Sequence, residues 1–193
     1  MEFKKVTLTG SKVLLEPLSE HHRDGLCHAV NDGELWKLFV TSVPKPSEID
    51  VFISEAINLP STGQGLAFAV VDQASGSVVG STRFMNASIH LGRTEIGFTF
   101  ISKSFQQTYT NTESKLLLLT HAFEVLNLNR IEFMTDYLNI TSRNAILRIG
   151  AKQEGILRNH MRMPNGRVRD SVIFSVIKNE WPGVKQNLLS RLV

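Results

Sequence analysis

Residues 94–136, TEIGFTFISKSFQQTYTNTESKLLLLTHAFEVLNLNRIEFMTD, decide how the chain reads. Ile96, Phe98 and Phe100 alternate with Glu95, Gly97 and Thr99, the period of a half-buried strand. Polar residues 102–111 lead into LLLLTHAFEVL, where Leu116, Leu119, Ala122, Phe123 and Leu126 recur at helical spacing. Thr110, Asn111 and Thr112 are candidate N-caps, and Glu113 brings negative charge to the positive end of the helix dipole. Residues 130–136 return as a second strand, with Ile131 and Phe133 on one face and Glu132 on the other. Strand, loop, helix, strand at this length favours a right-handed crossover between parallel strands. The helix then starts at the carboxyl end of the first strand with free backbone N–H groups, an arrangement that suits a phosphate. A purely structural crossover has the same pattern, and at this point both readings stand.

On either side lie short alternating runs. Upstream, 13–18 (VLLEPL) reads as a strand, followed at Ser19 by a helix cap. A modest helix with Leu26, Ala29 and Val30 inward follows, then a helix begun near Ser47 with Ile49, Phe52, Ile53, Ala56 and Ile57 on one face. Strands over 66–72 and 78–85 flank the turn QASGS, and 87–93 connects to the central strand. Downstream, LNITSRNAILRIGA is a short helix begun by Asn139, Thr141 or Ser142 and ended at Gly150. Strands over 152–161 and 168–176 flank Pro-Asn-Gly, and Trp181, Val184, Leu188 and Leu192 form the stripe of a last helix. This order implies an α+β domain over 1–193, with one mixed, mainly antiparallel twisted sheet, a splayed parallel pair at its centre and helices on its faces.

Composition narrows the function. The 193 residues are 42% hydrophobic and carry a net charge of +3 with no basic run, which argues against nucleic acid. A single cysteine, Cys27, excludes an internal disulfide framework and fits a reducing compartment. No apolar run reaches the roughly 20 residues of a membrane span, and MEFKKVTLTG lacks the apolar core of a signal peptide, so the expectation is a cytoplasmic chain without a membrane partner. The six histidines show no ligand spacing with a carboxylate or cysteine, so no metal is expected. What remains is the helix start at 106–112 and a second at 139–142, both following strands of the parallel pair, where ligands of such sheets collect. Gly97 marks a bulge or close backbone approach that would splay the strand and free backbone groups for an extended amide-bearing ligand.

At these residues the chain resembles the GNAT superfamily of acyl-CoA-dependent N-acetyltransferases, and within it the RimJ and RimL type of ribosomal-protein alanine N-acetyltransferase. The resemblance spans nearly the whole chain through LEPL, EIGFTF, NTESKLLLLTHAFE, RIEFMTD, LNITSRNAILRIGA and EGILRNHMRMPNGRVRDSVIFSV. It implies the GNAT fold and acetyl-CoA as co-substrate. Phe98 and Phe100 would contact the pantetheine arm through their backbones, and the loop Gln106, Gln107, Thr108, Tyr109, Thr110, Asn111 would cradle the pyrophosphate. In the family that loop is Arg or Gln, two variable residues, Gly, one variable, then Gly or Ala. Here only Gln106 matches, while Tyr109 and Asn111 occupy the small positions, where a Cβ can block the phosphate.

The resemblance also implies Asn139 as a pantetheine contact and Ser142 as proton donor to the leaving thiolate. Ser142 read without it is a helix cap. Glu95 would take the proton of the amine; read without the resemblance it is an exposed strand residue. The acceptor is an amine on a protein N-terminus or a small molecule, with Trp36, Phe39, Arg83, His160 and Met161 as candidate walls. The expected enzyme is a monomer or homodimer. Two alternatives remain: a non-catalytic CoA-binding or sensor protein with a degenerate loop, and an enzyme using another acyl donor such as succinyl-CoA.

Overall fold

The computed structural model describes residues 3–193. Eight strands form one sheet: β1 (Leu8–Thr9), β2 (Val13–Pro17), β3 (Leu66–Asp72), β4 (Ser77–Ser88), β5 (Arg93–Ile101), β6 (Arg130–Asp136), β7 (Lys152–Arg162) and β8 (Val168–Ile177). Their order across the sheet is β1-β2-β3-β4-β5-β6-β8-β7, all antiparallel except β5 and β6. Helices α1 (Arg23–Asn31) and α2 (Ile49–Ile57) cover one face. The other face carries α3 (Tyr109–Thr120), extended by a π-helical turn over His121–Val125, with α4 (Ile140–Ile149) and α5 (Trp181–Ser190).

The two faces make two cores. Val13, Leu15, Phe68, Phe84, Leu118, Leu119, Ile131 and Phe174 bury together under α3 and α5, where Phe123 stacks on Trp181. Leu26, Val30, Ile49, Phe52, Ala67 and Ala69 bury under α1 and α2. Each large buried side chain contributes roughly 1.5–3 kcal/mol of transfer free energy. The apolar stripe expected over 116–126 does face the core, with Leu116 only partly covered.

The central strand departs from simple alternation. Ile96 and Ile101 face the α3 core, whereas Phe100 packs against Phe52 in the other, with ring centroids 5.9 Å apart. One extra residue accounts for this. Arg83 opposes Gly97 and Ser81 opposes Phe100, so Phe98 and Thr99 together face only Thr82. Phe98 takes a left-handed φ of 45°, and its side chain is 47% exposed instead of sharing a buried face with Ile96. The bulge therefore lies one residue past Gly97, and it flips every later side chain to the opposite face.

Other boundaries also shift. β4 runs three residues beyond Met85, so 87–93 is not simply a connector. A short 3-10 turn over Pro46–Glu48 precedes α2, which displaces Ser47 from the cap. The cap of α3 is Thr108, two to four residues ahead of those expected to fill it, Thr110, Asn111 and Thr112.

Candidate active site

The parallel pair is short. β5 and β6 align only at Arg93/Arg130, Thr94/Ile131 and Glu95/Glu132. Past Glu95 the bulge turns β5 away, while Phe133–Asp136 of β6 stay paired to β8 on their other side. The result is a cleft between diverging strands, with α3 starting at the end of β5 and α4 at the end of β6.

At the start of α3, Gln106 is occupied structurally. Its side-chain amide donates to the Ile101 carbonyl at 2.9 Å and its N–H to Lys103 O at 3.2 Å. Gln107 adopts φ 61° and turns the chain into the helix. The Thr108 hydroxyl donates to Phe105 O at 2.8 Å and accepts from Thr110 N–H at 3.3 Å. Among the described residues, the backbone N–H groups of Gln107, Thr108, Tyr109 and Asn111 have no protein acceptor. These free donors, at the positive end of a 12-residue helix, can hold a diphosphate.

Tyr109 does not obstruct them. Its hydroxyl donates to Asp72 Oδ1 at 2.5 Å and Lys12 Nζ sits 5.1 Å over its ring, so the side chain runs towards β3. Two charged residues of α3 are buried, which the sequence pattern does not announce. Glu113 accepts from Ser11 N–H at 2.6 Å, the Ser11 hydroxyl at 2.8 Å and Lys12 N–H at 3.0 Å, tying the β1–β2 turn to the helix. Lys115, 4% exposed, donates to Thr99 Oγ1 at 2.9 Å and Thr82 Oγ1 at 3.2 Å, across the bulge. With hydroxyl partners and no carboxylate, burial pushes its pKa down to about 7.

At the start of α4, Asn139 is the cap: its Oδ1 accepts from Ser142 N–H at 3.0 Å. Ser142 thus receives the capping bond through its backbone, and its half-buried hydroxyl makes no hydrogen bond among the described residues. On the β-sheet face away from α3, Glu95 is 8% exposed, not a surface residue. Burial pushes its carboxyl pKa upward, opposed by the bond from Asn86 Nδ2 at 2.8 Å and by Arg169, and reinforced by Glu132. Asn86, held at φ 49° at an irregularity of β4, is a site residue that alternation alone could not single out. A groove of about 320 Å³ opens beside Glu95, lined also by Arg93, Arg130, Glu132 and Glu154.

The candidate wall residues scatter. Arg83 lies on the face of Glu95, its guanidinium 4.7 Å from the Phe52 ring and 4.3 Å from that of Phe98. Phe39 is 58% exposed; its carbonyl and ring meet Arg167, which also pairs with buried Asp136. Trp36 is half-buried against the α1–α2 core, His160 bonds Ser171 at 3.0 Å, and Met161 is exposed on β7. Glu16, His21 and His22 do come within 4.8 Å of one another, against the expectation from their spacing. His22 Nδ1 accepts from Ser19 N–H at 3.2 Å, so the proton sits on Nε2 and is donated to Glu16 at 2.9 Å, leaving that nitrogen no lone pair for a metal. No helix among the described residues is long and apolar enough to cross a membrane.

The chain is similar to known proteins along most of its length. The acetyltransferase (GNAT) domain family matches residues 12–152. An uncharacterized N-acetyltransferase, p20, of Bacillus licheniformis is 27% identical over 178 residues, 92% of this chain and 99% of that one. The crystal structure of a GCN5-related N-acetyltransferase from Brucella melitensis is similar with a TM-score of 0.88 and 32% identity, covering 100% of this chain and 88% of that one. Mycobacterium smegmatis RimJ, solved in complex with CoA-disulfide, has the same fold at a TM-score of 0.78 and 20% identity, over 92% of this chain and 88% of that one.

Proposed function

Because the chain belongs to the acetyltransferase (GNAT) family and is an N-acetyltransferase, we propose that it moves the acetyl group of acetyl-CoA onto a primary amine by direct attack in a ternary complex. The observation that supports this most is the cleft between β5 and β6, which ends at the free N–H groups of α3. In this reading Gln107, Thr108, Tyr109 and Asn111 hold the diphosphate through backbone N–H groups, while the Thr108 and Thr110 hydroxyls, bonded to Phe105 O and to each other, shape the turn instead of donating to the phosphate as the sequence suggests. The backbones of Phe98 and Phe100 pair with the pantetheine amides, and Asn139 contacts the same arm.

Glu95 accepts a proton from the incoming ammonium, directly or through water, so that a neutral nitrogen attacks the acetyl carbon. The N–H of Phe98 polarises the acetyl oxygen. As the C–N bond forms and the C–S bond breaks, Ser142 gives its proton or a hydrogen bond to the departing thiolate. The amine attacks the thioester directly, and no covalent acyl-enzyme is invoked. The acceptor is a protein N-terminus or a small amine, and the enzyme works in the cytoplasm as a monomer or homodimer.

Initial rates of thiol release, with donor and acceptor varied together over a panel of amines, test this. Intersecting double-reciprocal lines are expected. Replacement Ser142→Ala should lower kcat at least about tenfold while leaving acetyl-CoA affinity unchanged. Parallel lines would reject the ternary complex, and an unchanged kcat would remove Ser142 from the chemistry.

A further inference from the structure

We infer that the acceptor carries a carboxylate close to its amine and that Arg83 reads it, an inference that rests on the acetyl-transfer reading above. Arg83 opposes Gly97 and Met85 opposes Glu95 in the β4–β5 ladder, so all four point to one face. Arg83 and Glu95 are diagonal neighbours there, roughly 7–8 Å apart. Gly97 leaves the floor between them without a side chain of its own. A Cβ at that position would lie 2.7 Å from Met85 Sδ and 3.2 Å from Glu95 Oε1.

The guanidinium itself is incomplete. Arg83 is 6% exposed, and its Nε and Nη2 are enclosed with no hydrogen-bond partner. No carboxylate forms an ion pair with it among the described residues; Glu55 acts only at a distance, and burial pushes the pKa down to about 10. The rings of Phe52 and Phe98 lie 4.7 and 4.3 Å from its central carbon and offer no conventional acceptor, so its N–H groups are left to bond in their own plane. An edge of parallel N–H donors matches a planar carboxylate. Phe98, one of these two rings, is 47% exposed, so the guanidinium borders solvent at the bulge, where the reading above puts the acyl group.

A second cation reinforces the field. Arg169 of β8 donates its Nε–H to Ser171 at 2.8 Å, forms no ion pair among the described residues, and lowers the pKa of Glu95 from the other side. An acceptor that brings its own carboxylate meets two arginines lacking a counter-ion, while its amine meets Glu95. Buried donors built for a partner discriminate strongly against analogues that lack it. The carboxylate can belong to a free amino acid or to an acidic residue at the amino terminus of a protein.

Two pairs of acceptors separate these sources: free amino acids against their α-amides, and short peptides beginning with Asp or Glu against those beginning with Asn or Gln. We expect kcat/KM to favour the carboxylate member at least about tenfold in one pair, which identifies the source. Arg83→Met should erase that preference with the KM for acetyl-CoA unchanged, and Arg83→Lys should restore part of it. Wild-type turnover that treats both members of both pairs alike overturns the inference without needing any variant. So does a preference that survives Arg83→Met. If the wild-type protein acetylates no amine at all, the acetyl-transfer reading falls, and this inference with it.

Discussion

At Glu95 the protein holds a carboxylate in a place that disfavours its charge. Burial raises its pKa above the ordinary value near 4.3, while Asn86 and Arg169 limit the rise. A folded-state pKa above the unfolded one means that stability falls as pH rises through the interval between them. Glu95→Gln should therefore be more stable than the wild type at pH 7, with the gap closing towards pH 4. The same substitution should cost about 10²–10⁴ in kcat and remove the acidic limb of the kcat/KM profile. An acidic limb that survives the substitution would assign the base elsewhere.

Lys115 has the opposite sign. Its folded pKa of about 7 lies below the model-peptide value of 10.5, so the unfolded chain binds the proton that the native state rejects. Relative to Lys115→Met, the wild type should gain stability as pH rises from about 7 to about 10, by at most about 1.4 kcal/mol per unit. Melting curves of the two proteins across that range decide it; a constant difference would mean that Lys115 keeps its charge in the fold. Neither burial was legible in the sequence. A charged residue on a strand or helix reads as solvent-facing until its neighbours are known, and Thr82, 33 residues away, is what receives Lys115.

At the level of elements, alternation and helical spacing located every strand of the centre, yet misplaced two side chains, Phe98 and Phe100. Ile96, Phe98 and Phe100 keep an unbroken period of two, and nothing in that pattern records the left-handed φ at Phe98 or the reversal of faces after it. The helix start shows the reverse problem. Tyr109 looks like an obstruction at a position where the family resemblance implies a small residue, but a sequence does not state where a side chain goes. Its hydroxyl serves Asp72 and its ring lies under Lys12, both away from the free N–H groups. Tyr109→Gly should accordingly lower stability by about 1–3 kcal/mol, without tightening acetyl-CoA binding more than about threefold. Urea midpoints and calorimetric titration report the two effects. A large gain in affinity would show that the phenol ring does crowd the phosphate.

For the molecule as a whole, the meander, the crossover and the closing hairpin were readable because each joins neighbours in sequence. The insertion of β8 between β6 and β7 was not, since it depends on a pairing that no local pattern encodes. The approach of Arg83 and Arg169 to Glu95 likewise exists only once four strands, β4, β5, β6 and β8, lie side by side. The same assembly predicts how the fold responds to its co-substrate. If the cleft and the α3 donors are formed in advance, acetyl-CoA binds the native state alone and stabilises it by mass action. At about 100 times its dissociation constant the gain is roughly 2.7 kcal/mol. For a domain of this size that raises the melting temperature by roughly 5–10 °C. S-acetylpantetheine, which lacks the diphosphate but keeps the arm proposed to lie against β5, should give a much smaller rise at equal concentration. Equal shifts from the two ligands would place the binding energy in the splayed strands and remove the diphosphate role from the start of α3. No shift from either would mean that the cleft does not take acetyl-CoA in this form.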